Sequence, residues 1–511
     1  MHKNIRLSYF PRNNSGAPIK RTPIYRLLAS IGCIGCITTI LALATPGSAF
    51  AAPPPISIAA GPADGSAPQS EGLFGFMNGI ERSSNLLGDM WGLRTDLSRS
   101  GITLSVQETS EDLGNVTGGI RKSFEYDGLT QAVLQLNTQR AFGLYGGLFN
   151  MSVLQIHGQN LSANNLQSLQ TASGIEADRG TRLWELWYDQ KFLDEDRLDV
   201  KIGQQSVDQE FMVSSNALIF VNTMFGWPML PSADMPGGGP AYPLSALGAR
   251  VSVRPVNGVQ ILAGVFNGSP ERASSGDPEQ NDPHGTSFPL GNGTLSMVEV
   301  QFSYPALGSM VDPDAAPSLG WTYRIGAWYD SQMFNDQRFD QNGMSLANPA
   351  SDGVAAQHHG NYSVYAVGDH LIWRDPQELN RTISLFARVM ATPLTDRNLV
   401  QSSLNAGMVM HCPLPYRTDD TFGIGVSYAH VSNRVAGLER DTVYYTGSNI
   451  PVQSGESIAE MTYQYQVNPW LQLQPDVQYV MNPGGGLANP NEPGQNIKNE
   501  LVLGVRANIA F

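Results

Sequence analysis

Cysteine is nearly absent from this sequence. Of its 511 residues three are cysteine, and two of these, Cys33 and Cys36, lie close to the N-terminus. If processing removes that part of the chain, Cys412 stays alone. A single thiol can form neither an internal disulfide nor a zinc site built on several cysteines. A CxxC redox site is therefore excluded as well, and we expect no metal and no cofactor in the mature chain.

Long apolar runs are also absent after Ala52. The run from Leu27 to Leu43 follows six basic residues and is interrupted by Gly and Thr, and Ala49 and Ala51 are the small residues that a signal peptidase requires. This order predicts a secretory signal peptide over residues 1–51, with an uncleaved membrane anchor as the alternative. Without a later apolar helix, the mature chain can enter a membrane only as a closed barrel.

Positive charge is scarce. Six of the 31 basic residues precede residue 27, and none of the 45 acidic residues lies in the signal segment, so 25 basic and 45 acidic residues leave a mature net charge of −20. This excess of negative charge argues against nucleic acid as a partner. Only four of the remaining basic residues are lysine. The arginine bias favours planar hydrogen bonding through several donors over simple point charge.

The segment before the alternating region is poor in core-forming residues. Residues 52–72 are rich in Pro, Gly, Ala and Ser, which predicts a mobile periplasmic leader. A short helix over Arg82–Asp89 could pack against the barrel mouth. We therefore assign residues 52–100 to a periplasmic leader with a short helix, and residues 101–511 to an outer-membrane β-barrel.

Apolar and polar residues alternate from Gly101 onward, as in Leu247, Ala249, Val251 and Val253. A soluble sheet would alternate too, but here the segments reach the length of about ten residues needed to cross a bilayer, and short and long connections alternate. The pattern predicts an all-β transmembrane antiparallel barrel of about 16 strands. The predicted segments are 101–111, 123–139, 147–157, 181–191, 197–205, 244–254, 259–267, 293–304, 320–331, 361–374, 381–391, 403–411, 420–431, 457–467, 470–480 and 498–511.

The last predicted strand is apolar on one face and ends on phenylalanine. The residues of that face are Leu501, Leu503, Val505, Ala507, Ile509 and Phe511. We interpret this alternation as the signal that the barrel-assembly machinery recognises, so the expected partners are that machinery and outer-membrane lipid.

Several motifs resemble the OprB family of carbohydrate-selective porins. Leu86–Asp89 and Trp91–Arg94 are similar to the start of that family's barrel, and Asn468–Val480 with Asn482–Gly485 is the most specific stretch. The resemblance covers most of the mature chain. It implies a sixteen-stranded barrel of the outer membrane and selectivity for neutral sugars.

In each predicted strand, the alternate residues that form the polar face are expected to face the lumen. An arginine fork can donate to two sugar hydroxyls, and aromatic rings can stack on the apolar face of a pyranose. The candidates for the pore lining are Arg250, Arg254, Arg324, Trp328, Phe386, Arg388 and Arg506. The alternative is that these arginines pair with Asp330, Glu299 or Glu500 and only hold the wall together.

The longest predicted connection, Ser206–Tyr242, is too apolar for a freely solvated loop. Its large apolar residues are Phe211, Phe220, Phe225, Trp227 and Tyr242. We expect it to fold into the barrel as a constriction loop, with a cap on the extracellular rim as the alternative.

These observations together predict passive diffusion of small sugars through a water-filled, arginine-lined pore. No phosphate-binding loop, nucleophile elbow or paired catalytic carboxylate stands out, so we expect no catalytic residues. The alternatives are a structural or adhesive barrel with a plugged lumen, and a hydrolase with its site at the rim. The sequence leaves open which sugar is preferred and whether the protein is a monomer or a homo-oligomer.

Overall fold

A computed structural model describes residues 84–272, 277–306, 319–492 and 494–511. The predicted signal peptide and the leader up to residue 83 lie outside the described residues. A short helix, α1 at Leu93–Arg99, does occur in the segment before the barrel, but later than the stretch that we expected. Gly88, Met90, Trp91 and Gly92 all take positive φ, which is incompatible with a helix before Leu93.

The described residues form sixteen antiparallel strands in one closed barrel, in which β1 pairs with β16 and every other strand pairs with its neighbours in sequence. The strands are β1 Ile102–Thr117, β2 Phe124–Asn137, β3 Gly147–Gly158, β4 Gly180–Phe192, β5 Leu198–Gln205, β6 Ala246–Val256, β7 Val259–Asn267, β8 Thr294–Tyr304, β9 Trp321–Asp340, β10 Ala355–Arg374, β11 Thr382–Ala391, β12 Val400–His411, β13 Thr421–Val431, β14 Gly455–Asn468, β15 Leu471–Met481 and β16 Glu500–Ala510. The predicted fold class is confirmed.

The strand bounds differ most from the prediction at β1, β9 and β10, which are longer. Strand β9 continues to Asp340 instead of ending at residue 331, and β10 begins at Ala355 instead of residue 361. The extended hairpin is held by a helix in the connection between β13 and β14, because Arg338 Nε lies 2.7 Å from Asp441 Oδ2 of that helix. A contact with a residue about a hundred positions away is invisible to a local pattern.

The remaining helices are short and lie in the connections. They are α2 Thr138–Phe142, α3 Thr223–Gly226, α4 Met229–Asp234, α5 Pro278–Asn281 and α6 Asn433–Thr446, with a π-helical turn at Ser162–Leu166 and 3₁₀ turns at Asp194–Asp196, Val207–Gln209, Ala217–Ile219, Pro236–Gly238 and Pro483–Gly485. Among the described residues, no helix has both the length and the apolar character to span a membrane.

The outward and inward faces of the barrel differ in polarity. Outward-facing Ile202, Val265 and Ile325 are exposed, as side chains in contact with lipid must be in an isolated chain. Inward-facing Glu299 and Glu460 are buried. The main apolar cluster therefore lies inside the barrel, where a loop packs against the wall.

Candidate functional site

The connection between β5 and β6, residues 206–245, enters the barrel, and we call it loop L3. Its large apolar side chains are buried: Phe211 is 1%, Phe220 5%, Phe225 0% and Trp227 7% exposed. Phe220 and Phe225 stack with ring centroids 4.3 Å apart, and Phe386 of β11 lies 5.6 Å from Phe220. The structure thus places the predicted constriction loop inside the lumen rather than on the rim.

Carboxylates of the wall satisfy the backbone of L3. Glu299 of β8 accepts from the Met212 N–H at 2.8 Å, and Glu460 of β14 accepts from the N–H groups of Val221 and Asn222 at 2.6 and 3.2 Å. Buried backbone donors require such partners because no water reaches them. These inward-facing acids therefore replace water for a loop that lies inside the protein.

Arg388 of β11 uses four of its five donors to hold L3 and the fifth to bind the neighbouring strand β12. Its Nη1 and Nη2 groups donate to the carbonyls of Met212, Met224, Phe225 and Gly226 at 2.6–3.0 Å, and its Nε donates to Asn405 Oδ1 at 3.1 Å. A guanidinium has five N–H donors. With all five engaged, Arg388 has none left for a passing sugar.

Arg324 and Trp328 of β9 also belong to the support of L3. Arg324 Nη1 donates to Asp369 at 2.9 Å, and Asp369 in turn accepts from Ser214 of the loop at 2.6 Å. Trp328 is 1% exposed and lies in the apolar cluster that contains Phe211 and Met212. Both side chains face inward as predicted, and both are covered by the loop.

Arg250 and Arg254 of β6 are also inward-facing and buried. Arg250 forms ion pairs with Asp199 and with Glu210 of L3, and its Nη2 lies 3.9 Å from Asp189. Arg254 donates to the carbonyl of Glu195, which lies in the turn between β4 and β5. Arg254 therefore ties β6 to the turn between β4 and β5, and Arg250 ties β6 to β5 and to the start of L3.

The acidic partners of the arginines differ from those we expected. Glu299 does lie near an arginine, 4.0 Å from Arg324. Asp330 instead accepts from the backbone and side chain of Gln332, and neither carboxylate oxygen of buried Glu500 has a hydrogen-bond partner within the described part of the chain. The alternation along a strand predicted that these arginines face inward, but it could not predict which acidic residue each of them pairs with.

Arg506 of β16 is the exception among the predicted arginines, because it borders open space. It pairs with Glu111, its register partner on β1, across the seam that closes the barrel. A cavity of about 390 Å³ lies between L3 and this part of the wall. Arg506, Trp184, Trp227 and Tyr242 are among the residues that line it.

Aromatic rings form one side of this inner cavity. Trp184 of β4 and Tyr242 of L3 meet edge to face with centroids 6.1 Å apart, and the Tyr242 hydroxyl donates to the carbonyl of Ile175 at 2.9 Å. Trp227 donates its ring N–H to the carbonyl of Gly238 at 2.9 Å. The polar edges of Tyr242 and Trp227 are thus fixed by the loops.

A second, more polar cavity of about 460 Å³ lies among the connections at the end of the barrel away from the start of β1. Asn160, Ser162, Gln167 and Glu176 are among its lining residues. Glu279 of α5 lines both this outer cavity and the inner one. The two cavities therefore adjoin at Glu279.

Glu279 is placed by Arg182, which projects inward from β4. Arg182 Nη1 donates to the carbonyls of Glu279 and Asp282 at 3.0 and 3.1 Å, and its Nη2 lies 3.4 Å from the Glu279 carboxylate. Burial raises the pKa of Glu279 to about 7, although the hydrogen bond from the Asp178 N–H and the charge of Arg182 act against that rise. The junction therefore carries a carboxylate that titrates near neutral pH.

Sequence reasoning missed Trp184, Glu111, Arg182 and Glu279. Strand parity could have found Glu111, which lies opposite Arg506, but not Trp184 and Arg182, because the register of β4 shifts at Trp184 and both odd- and even-numbered residues of that strand face inward. Glu279 had no comparable signal because it lies in a loop without periodicity.

Comparison with known proteins identifies clear relatives. Residues 121–511 match the model of a family described as carbohydrate-selective porin, OprB family. Porin B of Pseudomonas aeruginosa is 25% identical over 448 residues, which cover 83% of this chain and 91% of that protein. A putative porin, QuiX, of Acinetobacter baylyi is 21% identical over 420 residues, covering 78% and 89% of the two chains. The high-pH structure of Pseudomonas putida OprB superposes with a TM-score of 0.71 at 23% identity, covering 84% of this chain and 99% of that one.

Proposed function

This chain belongs to the OprB family of carbohydrate-selective porins and lies in the bacterial outer membrane, and from that premise we propose that small neutral sugars diffuse passively past L3. Its relatives are porins rather than enzymes. The proposed route runs through the polar outer cavity, past Glu279, and into the inner cavity beside Arg506. No energy source or covalent step is involved.

The chemistry of the inner cavity is the observation that carries this proposal. The aromatic groups of Trp184, Trp227 and Tyr242 offer surfaces for the apolar face of a sugar ring. Across the cavity, Arg506 supplies N–H donors to passing hydroxyls, and its pairing with buried Glu111 holds the guanidinium in place. Each such hydrogen bond is worth only about 0.5–1.5 kcal/mol net, which suits selective passage without slow release.

The proposed pore lining contains fewer arginines than the full set that faces inward. Arg506 keeps its proposed role in sugar contact. Arg250, Arg324 and Arg388 are engaged by L3 or by acids of the wall, so we propose that they define the pore indirectly by holding the loop.

The test is single-channel recording with glucose as a blocker, comparing R506Q with R254Q. Loss of the Arg506 fork should weaken the blocking constant roughly three- to tenfold, the equivalent of one hydrogen bond. R254Q is the matched control, because Arg254 also faces inward but is not part of the cavity lining. Equal blocking constants in both variants would contradict the proposed route, and a wild-type protein without conductance would favour a plugged structural barrel.

A further inference from the structure

Four neutral polar side chains form a continuous hydrogen-bonded row across the wall of the barrel. These residues, which we call the amide row, are Thr109, Asn508, Gln472 and Gln466. The Thr109 hydroxyl donates to Asn508 Oδ1 at 2.9 Å, and the amide groups of Asn508 and Gln472 each donate to the next member at 3.1 Å. The members are register partners on adjacent strands, so the row runs along the wall from β1 through β16 and β15 to β14.

The amide row faces the lumen next to Arg506. Asn508 lies two residues after Arg506 on β16, and Thr109 lies two residues before Glu111 on β1, so both share the inward face of the Arg506–Glu111 pair. The row is therefore about 7 Å nearer than Arg506 to the end of the barrel where β1 starts, the predicted periplasmic end. A solute that leaves the inner cavity beside Arg506 in that direction meets the amide row next.

Loop L3 does not cover the amide row. Gln474 of β15 is 0% exposed and donates to the carbonyl of Ile219 in L3 at 2.7 Å. Gln472, two residues earlier on the same inward face, is partly exposed, as are Gln466 and Asn508. The edge of L3 on this strand therefore lies between Gln474 and Gln472, and the amide row borders open lumen.

The amide row keeps hydrogen-bonding capacity that the wall does not use. A carboxamide has two N–H donors and an oxygen with two lone pairs. Among the described residues, the amide groups of Asn508 and Gln472 each donate once and accept once. One N–H and one lone pair of each group therefore remain for the lumen. Because these groups carry no charge, they suit hydroxyls, which both donate and accept, better than ions.

We propose that the amide row is a second sugar-contact site, which neutral sugars meet after the inner cavity. This inference rests on the proposed function, because it extends the same route. Adjacent amides present donors and acceptors side by side, so two neighbouring hydroxyls of one sugar can bind at once. Each contact replaces a water molecule, which keeps the solute mobile. Gln474 and Gln478 of the same strand are engaged by loop carbonyls, and Gln472 is the glutamine of β15 that reaches the route.

Two matched glutamine substitutions test this site. Gln472 and Gln260 are each the second residue of a strand that starts at the same end of the barrel, and Gln260 lies on the opposite wall, where it donates to Ser252 at 2.9 Å. In single-channel recording, Gln472→Met should weaken glucose block about two- to tenfold, and Gln260→Met should leave it unchanged. Ion preference should stay constant in both variants, because neither alters a charge. Unchanged block in Gln472→Met, or equal weakening by both substitutions, would overturn the inference.

A double substitution separates direct contact from positioning. If Gln472 contacts the sugar, adding Gln472→Met to Arg506→Gln should multiply the two losses of glucose block. If the amide row only places Arg506, the double variant would block glucose as well as Arg506→Gln does, and the second site would be refuted. Wild-type block in Arg506→Gln alone would contradict the proposed function instead.

A further variant applies if Gln472→Met does not give the circular dichroism of an intact barrel. Asn508→Leu removes the neighbouring amide at similar volume and should weaken glucose block by the same factor, about two- to tenfold. An intact Asn508→Leu barrel with wild-type block would also refute the second site.

Discussion

The lumen wall that L3 covers and the wall that it leaves open use charged side chains differently. On the covered wall, formed by β8–β15, Arg388 donates to loop carbonyls and Glu460 accepts from loop N–H groups. On the open wall, Arg506 of β16 has its register partner Glu111 and borders a cavity. Both Arg388 and Arg506 are arginines on the inward face of a strand. The path of L3 therefore decides whether an inward arginine supports the fold or is available to a solute.

Removing L3 should abolish the difference between the two walls and is expected to have the largest effect. Replacing residues 211–239 by a short Gly-Ser linker removes the buried aromatic residues and exposes the covered wall to water. Conductance should rise severalfold and larger sugars should pass, because the loop fills much of the cross-section. Single-channel recording and liposome swelling measure both effects. Unchanged conductance would mean that L3 does not limit the pore.

The Arg388→Met substitution should detach L3 without shortening it. Four loop carbonyls lose their donor, and each buried unsatisfied group costs about 1–3 kcal/mol, so thermal stability should fall markedly. Conductance should rise and fluctuate as the loop moves. The matched variant Arg388→Lys keeps the charge and up to three donors, so it should fall between the wild type and Arg388→Met. Loss of stability with normal, quiet conductance would show that L3 has other sufficient anchors.

Two tyrosines provide a matched comparison of the walls. Tyr365 of β10 is 3% exposed and donates to Glu299 at 2.9 Å, so Tyr365→Leu should destabilise the barrel by about 1–3 kcal/mol and leave glucose block unchanged. Tyr242 lines the inner cavity, so Tyr242→Leu should weaken glucose block by roughly two- to tenfold, the value of one stacking contact. Thermal unfolding and blocking constants, measured on both variants, distinguish the two roles. The same response from both would remove the distinction between the walls.

The smallest expected effect is a pH dependence of ion preference at the junction of the cavities. Because the pKa of Glu279 is raised to about 7 by burial, its carboxylate is charged at pH 8 and mostly neutral at pH 6. Cation preference should therefore fall as the pH is lowered through 7. Reversal potentials in a salt gradient measure this preference, and Glu279→Gln should remove the step near pH 7. A step that persists in the variant would assign it to another group.

Much of the barrel could be predicted because strand alternation is a local property. Sixteen strands, the inward face of Arg250 and Arg388, and the apolar outward face of β16 all follow from a period of two. The polar outward face of β1 did not follow, since Gln107, Glu108, Thr109 and Ser110 are polar on both faces and conceal the alternation. The apolar composition of L3 also predicted that the loop would be buried.

The sequence by itself determined the number of strands, the face of the side chains wherever apolar and polar residues alternate, and the inward course of an apolar loop, because neighbouring residues set all three. Only the tertiary structure decided which inward arginines are occupied. Arg388 meets Met212 across 176 positions of the chain, and Arg506 meets Glu111 across 395. Such pairs depend on where barrel closure and L3 bring distant segments, and no local period carries that information.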